Sequence, residues 1–170
     1  EPSLFELFIQ LRGPEMLIGL LSHENTDMVG TTVNLIKELV DDDASEGSDE
    51  HDALLNHFLH SNILPSLVSL LSKLDESIED DSTTLHNVLS LVETVLEMEE
   101  EIMKEDIVST SLFNWLLKRS CQKGAFDANK LYASELLAVV IQQSEKARIK
   151  LSERADGMDL LLRAISAYKK

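Results

Sequence analysis

Two stretches of the sequence carry hydroxyl, amide and carboxylate side chains at intervals of three and four residues. The first is Thr31, Asn34, Glu38 and Asp41; the second is Thr83, Asn87, Ser90, Thr94 and Glu97, with Glu93 next to Thr94. On an α-helix that spacing places each set along one face. Hydroxyls and amides in such a ladder can hydrogen-bond an extended peptide backbone, while Glu38, Glu93 and Glu97 can pair with Lys or Arg. The candidate binding residues are therefore Thr31, Asn34, Glu38, Asn87, Ser90, Glu93, Thr94 and Glu97. A face that is only solvated has the same pattern, because every surface helix needs a polar side. A third stretch breaks the ladder, with Ala138 between Ser134 and Gln142.

The remaining reactive residue types form no known catalytic pattern. His51, His57 and His60 are close in sequence but have no Cys partner and no H-E-x-x-H spacing, so no metal is expected. Cys121 lies near Lys118, Arg119 and Lys123, cations that lower a thiol pKa, yet no His or Asn partner marks it as a nucleophile. There is no Gly-rich phosphate loop, paired-carboxylate motif or G-x-S-x-G elbow. The expectation is a protein that is not an enzyme and needs no cofactor.

Charge narrows the choice of ligand. Fifteen Lys and Arg stand against 31 Asp and Glu, a formal net charge of -16. Such a field repels phosphate backbones and anionic lipid, so neither direct nucleic-acid binding nor membrane binding is expected. It suits a basic protein segment, or it serves solubility alone. No apolar run approaches a membrane span, a single cysteine cannot form an internal disulfide, and Asn-x-Ser/Thr is absent; these fit a reducing nuclear or cytosolic compartment.

The elements that would position the ladders are repeated. Met16-Leu17-Ile18-Gly19-Leu20-Leu21-Ser22 returns as Ser66-Leu67-Val68-Ser69-Leu70-Leu71-Ser72 at an offset of 50. Leu112-Phe113-Asn114-Trp115-Leu116-Leu117-Lys118 follows after 46, and Leu160-Leu161-Leu162-Arg163-Ala164-Ile165 after a further 48. Each copy is apolar at i, i+3 and i+4, a helical stripe. Copies one and four share a glycine four residues before the anchor, Gly13 and Gly157. Longer helices are expected after the first three copies, over 27–40, 82–96 and 127–142, with Asp27, Ser82 and Asp127 as N-caps. Shorter leading helices are expected over 2–11, 52–60 and 144–151. Trp115, the single Trp, falls in a second-helix position beside Phe113 and Leu116, which points to core packing.

A period near 40 to 47 with two or three helices per unit is the armadillo/HEAT signature. The expected fold is all-α, a right-handed armadillo/HEAT-type helical-repeat solenoid of about three full repeats and a partial fourth. The boundaries are repeat one at 1–43, an acidic insert at 44–51, repeat two at 52–98, repeat three at 99–143 and a partial repeat four at 144–170. The acidic run at 41–50 and the segment 75–81 read as solvated loops. An incomplete last unit would expose Leu161, Leu162 and Ile165, so the chain reads as a fragment of a longer array.

Several stretches resemble the nuclear beta-catenin-like armadillo family associated with the spliceosome. They are Pro2-Ser3-Leu4-Phe5-Glu6-Leu7-Phe8, Glu24-Asn25-Thr26-Asp27, Leu74-Asp75-Glu76-Ser77 and Trp115-Leu116-Leu117-Lys118-Arg119, and above all Phe126-Asp127-Ala128-Asn129-Lys130-Leu131-Tyr132-Ala133-Ser134-Glu135. The resemblance fades at 41–50 and around 97–105. It implies a nuclear, non-catalytic scaffold that accompanies the Prp19-type splicing complex and binds basic, nuclear-localisation-like segments of splicing factors. Armadillo third helices line a concave groove, which would make the two ladders groove residues. Better-known armadillo families carry Asn near the end of helix three; the comparable places here hold Glu38 and Thr94. The other reading is a structural or regulatory helical-repeat subunit that uses convex or end surfaces and has no peptide groove.

Overall fold

The computed structural model describes residues 4–41, 48–98, 100–124 and 127–167, and among them every regular element is helical. Pro2, Ser3, the acidic segment 42–47 and Phe126 lie outside the described residues, as does the side chain of Ile165. The chain divides into two compact units, 1–92 and 93–170.

The first unit holds α1 (Leu4–Gln10), α2 (Gly13–Leu20), α3 (Thr26–Val40), α4 (Asp49–His60), α5 (Ile63–Leu70) and the larger part of α6 (Glu79–Met98). Arg12 and Asn62 each precede a second helix and both adopt the left-handed conformation, at φ 58° and 63°. One left-handed residue turns the chain sharply enough to fold α2 back on α1 and α5 back on α4, at roughly 1 kcal/mol for a side-chain-bearing residue. Gly13, at the start of α2, permits close approach: a Cβ there would fall 1.9 Å from the Phe8 ring. The Leu-rich copies supply the core, with Leu21, Leu67, Leu70 and Leu71 almost completely buried. Val29, Thr32, Val33 and Ile36 form the inner stripe of α3, and Leu85, Val88, Leu89 and Val92 that of α6.

Helix starts differ from expectation in two places. The cap of α3 is Asn25, whose side chain accepts from the Asp27 and Met28 N–H groups, so Asp27 already lies inside the helix. α6 begins at Glu79 instead of Ser82, because Glu79, Asp80 and Asp81 complement the positive end of the helix as its first turn. The preceding segment is ordered by side chains: Asp75 Oδ1 accepts from the Ser77 N–H and hydroxyl, and buried Asp81 accepts from the Asp75 N–H at 3.0 Å. Those Ser77 hydrogen bonds hold the Asp75 carboxyl below the usual carboxylate range.

Part of the acidic run expected as loop is also helix. Asp49 and Glu50 open α4 behind Ser48, which caps it by accepting from the His51 N–H. His51 itself is buried and lies with Nε2 3.1 Å from the Leu39 carbonyl oxygen. His57 Nε2 is 3.1 Å from Glu15 Oε1, and His60 Nδ1 is 2.6 Å from the Asn56 carbonyl oxygen. The three histidines therefore serve three different local contacts.

In the second unit, the end of α6 is followed by a 3-10 turn (Glu100–Lys104) and a π-helical turn (Val108–Leu112) that runs directly into α7 (Phe113–Ser120). Then come α8 (Ala128–Gln143), α9 (Glu145–Glu153) and α10 (Gly157–Ala167). α7 packs along α8, and α9 packs on α8, α10 and the π turn. Phe113, Leu116, Ala133, Leu136 and Val140 fill this core, and Trp115 is half-buried beside Phe113 and Leu116. Asp127 caps α8 as expected, accepting from the Lys130 N–H at 2.8 Å. On α10, Leu162 is exposed and Leu161 half-buried.

Candidate functional site

The two polar ladders meet a different fate in each unit. In the first, α3 and α6 run close enough for their polar faces to bond. Asn87 Nδ2 donates to Asn34 Oδ1 at 2.7 Å, and Lys37 Nζ donates to Ser90 Oγ at 3.2 Å while pairing with Asp41. Asn34, Thr31 and Glu38 remain exposed; Asn87 and Ser90 are half-buried. Of the eight candidate residues, the structure thus brings Asn34 and Asn87 into direct contact and links Ser90 to α3 through Lys37.

Near the N-terminal ends of the same helices the faces part to form a cleft of about 260 Å³. Asp27, Gly30, Thr31 and Asn34 line it from α3; Asp80, Asp81, Thr83 and Thr84 line it from α6. Gly30 makes the close approach possible, since a Cβ there would sit 2.9 Å from Thr84 Oγ1. Thr31 donates its hydroxyl proton to the Asp27 carbonyl at 2.9 Å and Thr83 donates to Glu79 at 3.0 Å. Both hydroxyl oxygens are left as acceptors toward the cleft. Sequence reasoning found Thr31, Thr83 and Asn34 but missed Asp80, Asp81 and Thr84. A signal did exist: a glycine inside a helical pattern costs about 1 kcal/mol relative to Ala, so Gly30 implied a packing reason.

Glu93, Thr94 and Glu97 belong to the second unit. Glu97 is exposed, Thr94 is half-buried, and half-buried Glu93 accepts a 2.5 Å hydrogen bond from the Tyr132 hydroxyl. The polar groups of α8 are similarly committed. Arg119 makes a two-pronged pair with Asp127, at 2.8 and 2.9 Å, and Lys130, almost fully buried, donates Nζ to the Gln122 carbonyl at 2.7 Å. Burial pushes the Asp127 carboxyl up, but hydrogen bonds from Arg119 and the Lys130 N–H outweigh it, leaving Asp127 below the usual carboxylate range. Ser134 donates to the Lys130 carbonyl.

Cys121 departs from the sequence expectation. Burial is the largest influence and raises the thiol above its ordinary value, against the smaller lowering effects of Lys130 and Arg154. Its Sγ lies 3.6 Å from the Leu160 carbonyl oxygen, where a thiol donates weakly. Among the described residues no group of His, Cys, Asp and Glu converges as a metal site.

The family model described as "Catenin-beta-like, Arm-motif containing nuclear" matches residues 1–170. The chain belongs to the catenin-beta-like family. Among its relatives, Beta-catenin-like protein 1 of Homo sapiens is 38% identical over 170 residues, which cover 99% of this chain and 30% of that protein. Beta-catenin-like protein 1 homolog of Schizosaccharomyces pombe is 34% identical over 169 residues, covering 99% of this chain and 29% of the relative. The chain thus spans less than a third of the length of these curated relatives. Its helices are those of an armadillo-type repeat protein, consistent with a helical-repeat solenoid. The stretch that most strongly suggested a catenin-beta-like chain, 126–135, contributes Asp127, Lys130 and Tyr132 to internal bonds.

Proposed function

We propose that this chain is a non-catalytic binding segment of a nuclear armadillo scaffold. It receives basic, Lys/Arg-rich segments of partner proteins along the polar faces of α3 and the N-terminal part of α6, and those partners are splicing factors of a Prp19-type complex. The observation that carries the binding reading is the composition of that face. Exposed Asn34 and Glu38 and the carboxylates of Asp27 and Asp80 present acceptors, while the one Lys of α3, Lys37, is engaged with Asp41 and Ser90. A cationic segment complements such a surface. The nuclear part rests on the wording of the family description, and the splicing part on the resemblance of the sequence alone.

The test is fluorescence-anisotropy titration of a Lys/Arg-rich peptide at two salt concentrations. Binding that weakens with salt, and is lost in a Glu38→Lys/Asp80→Lys double variant, supports the reading. Binding indifferent to both removes the face from consideration. Recovery of known splicing proteins from nuclear extract by the chain, lost in the same variant, checks the splicing assignment; recovery of none rejects it.

A second reading has its own observation. Leu4, Leu7 and Leu11 fall on one side of the first helix and its end, 80%, 43% and 67% exposed. A stripe of that kind suits packing against another helix, as in a repeat subunit that works through its end surfaces. Substitution of all three by Ser would abolish partner recovery under this reading and leave peptide binding intact under the first.

A further inference from the structure

The net charge of -16 is not spread evenly along the chain. The first unit holds three Lys and Arg against 18 Asp and Glu, whereas the second holds 12 against 13. Acids are missing altogether between Asp106 and Asp127, a span that contains Lys118, Arg119, Lys123 and the whole of α7. The charge that suits a basic ligand therefore belongs to the first unit, and around α7 the balance is positive. Position in the repeat does not explain this. α2 and α5 are the corresponding helices of their repeats, and neither carries a Lys or Arg.

The outward side of α7 offers donors that the chain itself does not use. Trp115, Lys118 and Arg119 stand at i, i+3 and i+4, so they share one side of the helix. Lys118 is exposed, as are Gln122 and Lys123 just beyond the cap at Cys121, and Trp115 is half-buried. Arg119 is committed to Asp127, but Lys118 and Lys123 make no ion pair and no hydrogen bond among the described residues. Lys130 and Arg154 add to the positive charge here, since both act on the neighbouring Cys121 thiol. The nearby acids Asp127 and Asp156 are already paired, with Arg119 and Arg154.

We infer that the outward side of α7 is a docking surface for an acidic segment of a protein partner, whose carboxylates meet Lys118 and Lys123 while an apolar side chain rests on Trp115. It is a second surface, opposite in ligand preference to the α3–α6 face, and it does not depend on that reading. Ammonium and indole N–H groups are donors only, and carboxylates are their natural acceptors. A partly buried Trp beside a cationic side chain also has the make-up of an interface anchor. Nucleic acid is the other polyanion, and the surface suits it less. A stacked base needs an open ring face, whereas Trp115 is half-buried. A long strand must also contend with the seven acids and single Lys of residues 93–106, which a short segment avoids.

Trp115 is the only Trp of the chain, so its fluorescence reports on this surface alone. In the unaltered protein iodide should quench it more than caesium does, each measured relative to free tryptophan amide, although the chain as a whole is anionic. Preference for caesium would show a negative field at α7 and overturn the inference. A Glu/Asp-rich peptide with a central Leu should shift the Trp115 emission to the blue, saturably and less tightly as salt rises. Lys118→Gln/Lys123→Gln alters two exposed side chains. It should keep the melting temperature and lower the affinity of that peptide about fivefold, as for two exposed ion pairs. An unchanged emission, an equal response to a lysine-rich peptide, or equal affinity in parent and double variant would each overturn the inference. So would tighter binding of a single-stranded oligonucleotide of equal charge, which would make the surface a nucleic-acid site. The quenching comparison needs no substitution, so it decides the sign of the field even if the variant folds poorly.

Discussion

The α3–α6 face and the α7–α8 corner are built from similar residue types and use them in opposite ways. At the corner, Arg119, Asp127, Lys130 and Tyr132 all bond within the chain, to one another, to the Gln122 carbonyl or to Glu93. On the α3–α6 face, Thr31 and Asn34 stay exposed and carboxylates cluster at a cleft. Polar residues that close on themselves specify a fold; polar residues left open are available to a ligand. The most recognisable stretch of the sequence is thus architectural, and the proposed binding face lies elsewhere.

Substitutions at the corner and on the face should divide accordingly. Asp127→Ala removes the α8 cap and leaves the mostly buried Arg119 guanidinium without its carboxylate, and should cost about 2 kcal/mol in chemical denaturation. Peptide affinity should not change. A substantial loss of affinity would mean the corner takes part in binding. Tyr132→Phe deletes the bond to Glu93 and should cost about 1 kcal/mol, again with binding intact. Asn87→Ala should reverse the pattern: stability within about 0.5 kcal/mol of the parent, as for an outward-facing position, but weaker peptide binding. An Asn87 variant that unfolds easily yet binds normally would erase the distinction.

Much of this organisation is legible in the sequence. The Leu-rich copies fall on α2, α5, α7 and α10, and Leu67, Leu116 and Leu117 are nearly inaccessible, because apolar residues at i, i+3 and i+4 have one way to be buried on a helix. The Asp127 cap is equally readable. Asn25 is not, because Asp27 is also a capping residue type and lies only two positions on. Ser82 misleads because the acids ahead of it resemble loop, whereas acids are favoured in a first helical turn. The cleft is hidden for a different reason. Its contacts depend on how α3 and α6 lie side by side, and Asn34 bonds Asn87 at a separation of 53, three more than the offset of the Leu-rich copies. The α5–α6 loop, 71–78, is longer than the α2–α3 loop, 21–25, and this shifts the register.

The smallest expected effect is in acid. Because the folded state holds the Asp127 carboxyl below its ordinary value, its charge contributes stability fully above the ordinary carboxylate range. That contribution disappears as the pH falls through the lower folded value. Asp127→Asn keeps a capping side chain but not the charge, so parent and variant should differ by about 0.5 kcal/mol near neutrality, a small amount for a half-exposed pair. The difference should shrink toward zero below the ordinary carboxylate range. A gap that widens in acid would show that the carboxylate is not stabilised by folding.

The central claim, that the open polar face of α3 and α6 is the binding surface, is tested most directly by amide NMR of the labelled chain during titration with a lysine-rich peptide. The account predicts shift changes concentrated over 26–38 and 79–90, largest around Gly30 and Thr84, with 113–135 unmoved. Changes centred on the α7–α8 corner or on α1, with the cleft silent, would contradict it.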